Sequence, residues 1–319
     1  MRRHRYKVLL KISIMNSILS VRQLSHKYSS DWVIRDINME LSHNGITGLL
    51  GSNGAGKSTT MNIICGVLAQ TEGSIAVNGF DIRTQAELAK REIGFLPQNP
   101  PLYTDLTIDE YLRYCAEIRH IKPSKIRAAV EEVKERCMIS HVGGRLIQNL
   151  SGGYRQRVGI AQAIIHKPGL VVMDEPTNGL DPNQLIEVRK LIREISVDHA
   201  VLLSSHILSE IHLLCKEIVM IERGRVVFAD SMDAFDNYIQ PHSLLMRMEN
   251  PPQMGELLKV RGVTRVEFLT DKQVRVYFDG NDDITERLIT AGVQEQWQVR
   301  EVHLEKGLLD DVFKQLSTP

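Results

Sequence analysis

Between the apolar run Ile46-Thr-Gly-Leu-Leu50 and a stretch of helical periodicity beginning near Lys57 stands Gly51-Ser-Asn-Gly-Ala-Gly-Lys-Ser-Thr59. Few short segments restrict a fold as tightly. The run matches G-x-x-x-x-G-K-[ST], whose glycines let successive backbone N–H groups turn inward on phosphate oxygens while the positive end of the following helix favours their charge. Gly51, Ser52, Asn53, Gly54, Ala55, Gly56, Lys57, Ser58 and Thr59 are therefore the expected phosphate-binding residues. Lys57 is expected to reach the β- and γ-phosphates, and Ser58 to ligate Mg2+. A glycine-rich structural turn is the competing reading; the strand before the run and the helix after it argue against that.

A second element, Leu170-Val-Val-Met-Asp174-Glu175, is an apolar strand ending in two acids. By itself this is a common pattern at a sheet edge. Beside a phosphate loop it acquires a purpose: Asp174 can enter the metal shell, and Glu175 can hold and deprotonate an attacking water.

Strand signals recur at Ser74-Ile-Ala-Val, Ile93-Gly-Phe-Leu, Ala200-Val-Leu-Leu-Ser, Glu217-Ile-Val-Met-Ile and Val226-Val-Phe, and shorter ones lie from Ile18 to about Ile37. From about Thr107 to Ala163 the periodicity is helical, and Leu185 to Ser196 reads as an amphipathic helix. The alternation predicts an α/β domain over 18–238 with a largely parallel core and an inserted helical subdomain over about 99–165. Breakers at Pro241, Asn250, Pro251 and Pro252 place a linker at 239–252. From Ser243 onward a strand-helix-strand-strand-helix-strand pattern, starting with Ser243–Met248 and closing on a final helix, predicts a small ferredoxin-like α+β domain, with 253–319 as its main body.

The 319 residues carry 39 basic against 39 acidic side chains, which argues against a dedicated nucleic-acid binder. No apolar run reaches the roughly 18 residues needed to span a bilayer, so no direct membrane insertion is expected. Cys65, Cys115, Cys137 and Cys215 form no Cys-x-x-Cys pair and stand in apolar surroundings, as buried free thiols of a reducing compartment do. Residues 1–17 read as a disordered extension, with either Met1 or Met15 as the start. Its basic and then apolar character imitates a secretory signal, but Lys11 interrupts the apolar part and no small-residue cleavage site follows.

Leu150-Ser-Gly-Gly-Tyr-Arg-Gln156, between the phosphate loop and the paired acids and opening a helix, is similar to the signature of the ATP-binding cassette (ABC) family. The resemblance runs from roughly Ile18 to Ala234. It implies a P-loop NTPase fold and hydrolysis of ATP with Mg2+. It also implies a head-to-tail homodimer in which Ser151, Gly152 and Gly153 serve the nucleotide held by the opposite subunit. Gln98 resembles the family's glutamine that contacts metal and water, Asp181 in Gly179-Leu-Asp the loop that crosses between subunits, and His206 the switch histidine at the γ-phosphate. Tyr28 aligns with the aromatic that stacks on adenine, with Trp32 a competitor. Glu175, His206 and Gln98 are then the catalytic set, and Ser58, Gln98 and Asp174 the metal set.

The family's crossing loop commonly reads Ser-Ala-Leu-Asp where this chain has Asn178-Gly-Leu-Asp181, a change that removes no reacting group. The stretch Phe95-Leu-Pro-Gln-Asn-Pro-Pro-Leu-Tyr103 resembles the bacterial exporter branch. That implies an integral-membrane permease as partner and residence on the cytoplasmic face of the inner membrane. A non-transport ABC ATPase of the ribosome or of DNA is the alternative. The former ordinarily has two cassettes in one chain, and the latter a long coiled coil between loop and signature.

Overall fold

The computed structural model describes residues 17–238, 243–279 and 283–305. Two compact units divide between Met232 and Asp233. The expected N-terminal extension and final helix fall largely on 1–16 and 306–319, outside the described residues.

In the first unit, β3 (Gly45–Leu50) is buried along nearly its whole length because it is flanked on both edges by β8 (Ala200–Ser205) and β9 (Glu217–Glu222). Continuous apolar runs suit such a central parallel strand, which has no solvent face. Outside β8 lie β7 (Leu170–Asp174) and then β6 (Ile93–Leu96), and β10 (Arg225–Ser231) closes the other edge antiparallel to β9. Parallel register sets Leu50 opposite Ser205, Ser204 opposite Asp174, and Met173 opposite Leu96. The residues following four strands thus meet at one carboxyl edge, where open α/β sheets take their ligands.

A separate antiparallel sheet, unforeseen from the sequence, joins β2 (Asp31–Ser42), β1 (Ser17–Tyr28), β4 (Glu72–Val77) and β5 (Phe80–Asp81). Its strands β1 and β2 are each 12 residues long rather than short pieces. Register shifts between Val21 and Leu24, with Gln23 at φ 49° and Asp36 at φ 52°, interrupt the two-residue alternation that would have shown their length. Leu19, Leu24 and Ile37 from this sheet, Met61 and Ile64 from α1 (Lys57–Ile64), and Leu49, Val172 and Leu202 from the parallel sheet share one core.

After the short α2 (Ala86–Arg91) and β6, the helical segment comprises α3 (Ile108–Ile118), α4 (Pro123–Arg136) and α5 (Gly152–Ile164). Thr107 and Glu110 form a reciprocal capping box on α3, and Pro123 starts α4. Helix α5 returns to the sheet so closely that a Cβ at Gly94 would lie 2.0 Å from the Ala163 carbonyl oxygen, and one at Gly159 would lie 2.7 Å from Leu96. Helices α6 (Pro182–Asp198) and α7 (Leu208–Leu214) complete the layer. All four cysteines are free and buried. Among the described residues no helix is long and apolar enough to cross a membrane.

α8 (Met232–Tyr238) begins at the boundary, six residues short of the expected limit at 238. The second unit contains β11 (Ser243–Met248), α9 (Met254–Leu257), β12 (Val263–Thr270), β13 (Gln273–Phe278), α10 (Ile284–Gln294) and β14 (Val299–Glu305). Strand β11 coincides with the strand expected at Ser243–Met248 and lies inside the interval 239–252 assigned to the linker, with Asn250, Pro251 and Pro252 following its end. The antiparallel order β12-β13-β11-β14 puts β11 in the interior, and Leu244, Met246, Val274, Leu288 and Trp297 form this unit's own core.

Candidate functional site

The turn from β3 into α1 depends on glycine. Gly54 and Gly56 stand at φ 82° and 104°, and a Cβ at Gly56 would approach Ile34 Cγ2 to 2.5 Å. At Gly51 a Cβ would lie 2.4 Å from the carbonyl oxygen of Ile221, so the loop rests on the end of β9. Ser52 Oγ donates to Glu222 at 2.9 Å and strengthens that seat. Lys57 is only 5% exposed, and its ammonium donates to the carbonyls of Gly51 and Ser52 at 2.8 and 3.1 Å. Burial holds this amine below the usual lysine range, while Glu175, Asp174 and Glu222 pull the other way. Ser58, next in line, is exposed.

Strand β7 delivers the two acids, both buried, to the same edge. Ser204, one strand away and fully buried, donates to Asp174 Oδ1 at 2.5 Å and accepts the backbone N–H of Glu175 at 2.9 Å. This serine orients both acids, and nothing in its sequence context marked it. Glu175 takes the left-handed φ of 49°, which costs a residue with a side chain about 1–2 kcal/mol. That bend aims its carboxylate at His206 Nδ1, 2.9 Å away, and brings it within 3.9 Å of Lys57 Nζ. Four sequence-predicted residues, Lys57, Asp174, Glu175 and His206, therefore lie in one contiguous polar cluster.

Gln98 is exposed two residues beyond the end of β6, beside the strand that carries the acids. Tyr28 ends β1 and is 49% exposed, whereas the ring of Trp32 has Lys27 Nζ at 5.5 Å and Arg35 Cζ at 5.6 Å. The His26 ring meets Tyr28 edge-on at 4.8 Å, and of the two aromatics Tyr28 is exposed and Trp32 half-buried. The oxygen donors Ser58, Asp174 and Gln98 are those that a small hard cation such as Mg2+ selects, and glycine-lined space beside a lysine suits a polyphosphate. The residues present fit both groups.

Helix α5 starts on Ser151 as N-cap without a side-chain cap hydrogen bond, and Ser151 and Gly152 are exposed. Gly153 is buried against Gln184 of α6, and Gln156 Nε2 donates to the Pro176 carbonyl at 2.7 Å. Asp181 caps α6 by accepting from the N–H groups of Asn183 and Gln184, both at 3.0 Å. Among the described residues no hydrogen bond joins Ser151, Gly152 or Gly153 to the phosphate loop. The sequence also left Thr177 and Glu210 unremarked, and both prove buried and bonded to one another.

A strand, a phosphate loop and a helix, with paired acids on the neighbouring strands' carboxyl edge, define a P-loop ATPase. The family model described as ABC transporter matches residues 34–178. The uncharacterized ABC transporter ATP-binding protein YdbJ of Bacillus subtilis is 38% identical over 221 residues, covering 69% of this chain and 71% of that one. The linearmycin resistance ATP-binding protein LnrL of the same organism is 28% identical over 305 residues, covering 92% and 97%. A solved structure of an ATP-binding subunit of an ABC transporter superposes with a TM-score of 0.63 at 28% identity, covering 70% of this chain and 93% of that chain. The chain belongs to the ABC transporter ATP-binding protein family and is an ATPase of that family.

Proposed function

We propose that this chain works as a head-to-tail homodimer that hydrolyses Mg-ATP at two shared sites and drives a separate integral-membrane permease, most consistent with export. The carrying observation is an asymmetry. Lys57, Asp174, Glu175 and His206 converge in one chain, while the exposed start of α5 has no partner there among the described residues. A second copy turned about would set Ser151 and the Gly152 and Gly153 amides on the γ-phosphate held by the first.

In that arrangement the loop amides and Lys57 hold the phosphates, and the exposed Tyr28 stacks on adenine. Ser58, Asp174 and Gln98 would hold Mg2+, which would supply neutralisation of phosphate charge. Glu175, oriented through Ser204, takes a proton from the attacking water, and His206, bonded to Glu175 through Nδ1, holds the γ-phosphate. Asp181 lies on the loop that faces the partner subunit.

Past Gln98 the chain exposes Tyr103 and Tyr114, rings 5.5 Å apart, and nearby Ile118 on the same helix as Tyr114. An aromatic patch following Gln98 suits a helix presented by the permease at the cytoplasmic face of the inner membrane. Export is favoured because LnrL, whose name records resistance, aligns along nearly the whole chain, the second unit included. No nucleic-acid partner and no direct membrane insertion form part of this reading.

Tagged Glu175→Gln, purified from detergent-solubilised native membranes with Mg-ATP, tests it. A stoichiometric integral-membrane protein in the eluate supports the permease. Ribosomes, DNA or a homodimer alone would leave the ATPase standing and remove the transporter.

A further inference from the structure

Glu210 is a carboxylate 5% exposed, in the first turn of α7, and it gathers three separate parts of the site. Its Oε2 accepts from Thr177 Oγ1 at 2.7 Å and from Ser205 Oγ at 3.0 Å, and its Oε1 accepts from Arg189 Nη2 at 3.2 Å. Ser205 Oγ in turn accepts the backbone N–H of Ile207 at 3.0 Å, so the hydroxyl tied to Glu210 brackets His206 from both sides. Thr177 stands in the loop that runs on to Gly179 and Asp181, and Arg189 belongs to α6, the helix that Asp181 caps.

We infer that Glu210 is a positioning residue which sets the placement of His206 according to the position of the loop ending at Asp181. The inference rests on the roles proposed for His206 and for the dimer-facing loop. A buried charge is stable only where its partners surround it, so Glu210 has one comfortable arrangement, with Thr177, Ser205 and Arg189 all in place. When the crossing loop meets the opposite subunit and α6 is held with it, the same carboxylate holds Ser205, and through it His206, against Glu175. If the loop shifts, Thr177 and Arg189 withdraw, and the bracket on His206 loosens. Turnover is thereby made to depend on the dimer contact, without Glu210 touching nucleotide.

The test is a double-mutant cycle on phosphate release. His206→Ala alone must lower turnover; wild-type turnover there would refute the site reading itself, not merely the coupling. Glu210→Gln keeps the shape but turns one acceptor into a donor, and it is expected to lower kcat about tenfold with KM for ATP within about twofold. In the His206→Ala background Glu210→Gln is expected to add nothing, because residues acting as a unit are non-additive. A further full loss in that background would overturn the inference, as would unchanged kcat in Glu210→Gln alone. Should Glu210→Gln fail to fold, Ser205→Ala removes only the bridge. It must lower kcat in the wild-type background and leave turnover unchanged in the His206→Ala background; wild-type turnover or an additive loss overturns the coupling.

Discussion

Two helices of this protein begin on glycine-rich segments, and their beginnings are finished differently. At α1 the chain encloses itself: Gly56 is pressed against Ile34, Lys57 folds back on the carbonyls of Gly51 and Ser52, and Glu175 stands 3.9 Å from the ammonium. At α5 the body of the helix is locked to the sheet through Gly94 and Gly159, and Gln156 is bonded to Pro176, yet Ser151 and Gly152 are left to solvent. Both helix starts favour negative charge for the same dipolar reason. One sits beside residues that can do chemistry, and the other brings donors alone. In the proposed dimer, two similar local motifs become the two halves of one site, each on a different copy of the chain.

Complementation puts that division at greatest risk. Glu175→Gln removes the proposed general base, and Ser151→Arg fills the open start of α5; each is expected to lower phosphate release about 10²–10⁴-fold on its own. Mixed in equal amounts, the two variants can pair so that intact Glu175 of one faces intact Ser151 of the other. Recovery of a substantial fraction of turnover is expected. If mixing restores nothing, the helix starts serve the same chain, and the comparison fails.

Substitution at Gly56 probes the enclosed helix start. Gly56→Ala must bear a left-handed backbone at φ 104° and a Cβ placed 2.5 Å from Ile34 Cγ2. Strain and overpacking together predict a loss of about 2–4 kcal/mol in denaturant unfolding. A loss under about 1 kcal/mol would mean that the loop is more pliant than its packing implies.

How much of this could be read from residues alone followed sequence distance. The phosphate loop, the paired acids and the signature each lie within nine residues or fewer, so spacing exposes them directly. The runs of β3, β7 and β8 were legible because strands buried on both faces are continuously apolar. Ser204 and Glu210 were not, since a lone serine or glutamate acquires meaning only when strands 30 residues apart are laid side by side, as for Ser204 with Asp174. The bulged β1 and β2 were legible only in fragments for the reason their register gives. Tyr28 was the aligned aromatic with Trp32 its competitor, and spacing alone could not show that Tyr28 is exposed while two cations flank Trp32.

The anchored foot of α5 should show itself through pH. His166, just past that helix, has its Nε2 3.1 Å from the Ile93 carbonyl, and its Nδ1 is buried without a partner among the described residues. Burial foremost, then Arg119 and His199, lowers its pKa to about 4, against the hydrogen bond to Ile93. The unfolded chain takes up the proton near pH 6.5, so the folded state binds fewer protons between the two values, and stability falls as pH drops from 6.5 toward 4. His166→Gln should flatten up to about 3 kcal/mol of that dependence, read from denaturant midpoints across the range. An unchanged pH profile would mean that the base of α5 is not held through a neutral imidazole.

The smallest expected effect is the most pointed. A Cβ at Gly152 meets nothing within 4 Å, and the residue occupies the first helical position of α5. Alanine there relieves backbone entropy without strain, so Gly152→Ala is expected to leave stability unchanged or raise it by about 0.5–1 kcal/mol. The same methyl would project from the helix start proposed to lie on the opposite subunit's γ-phosphate, so turnover is expected to fall while ATP binding by the separate chain persists. Stability and activity would then move in opposite directions at Gly152, whereas at Gly56 both fall. Equal falls at the two glycines would show that α5, like α1, completes its contacts within its own chain.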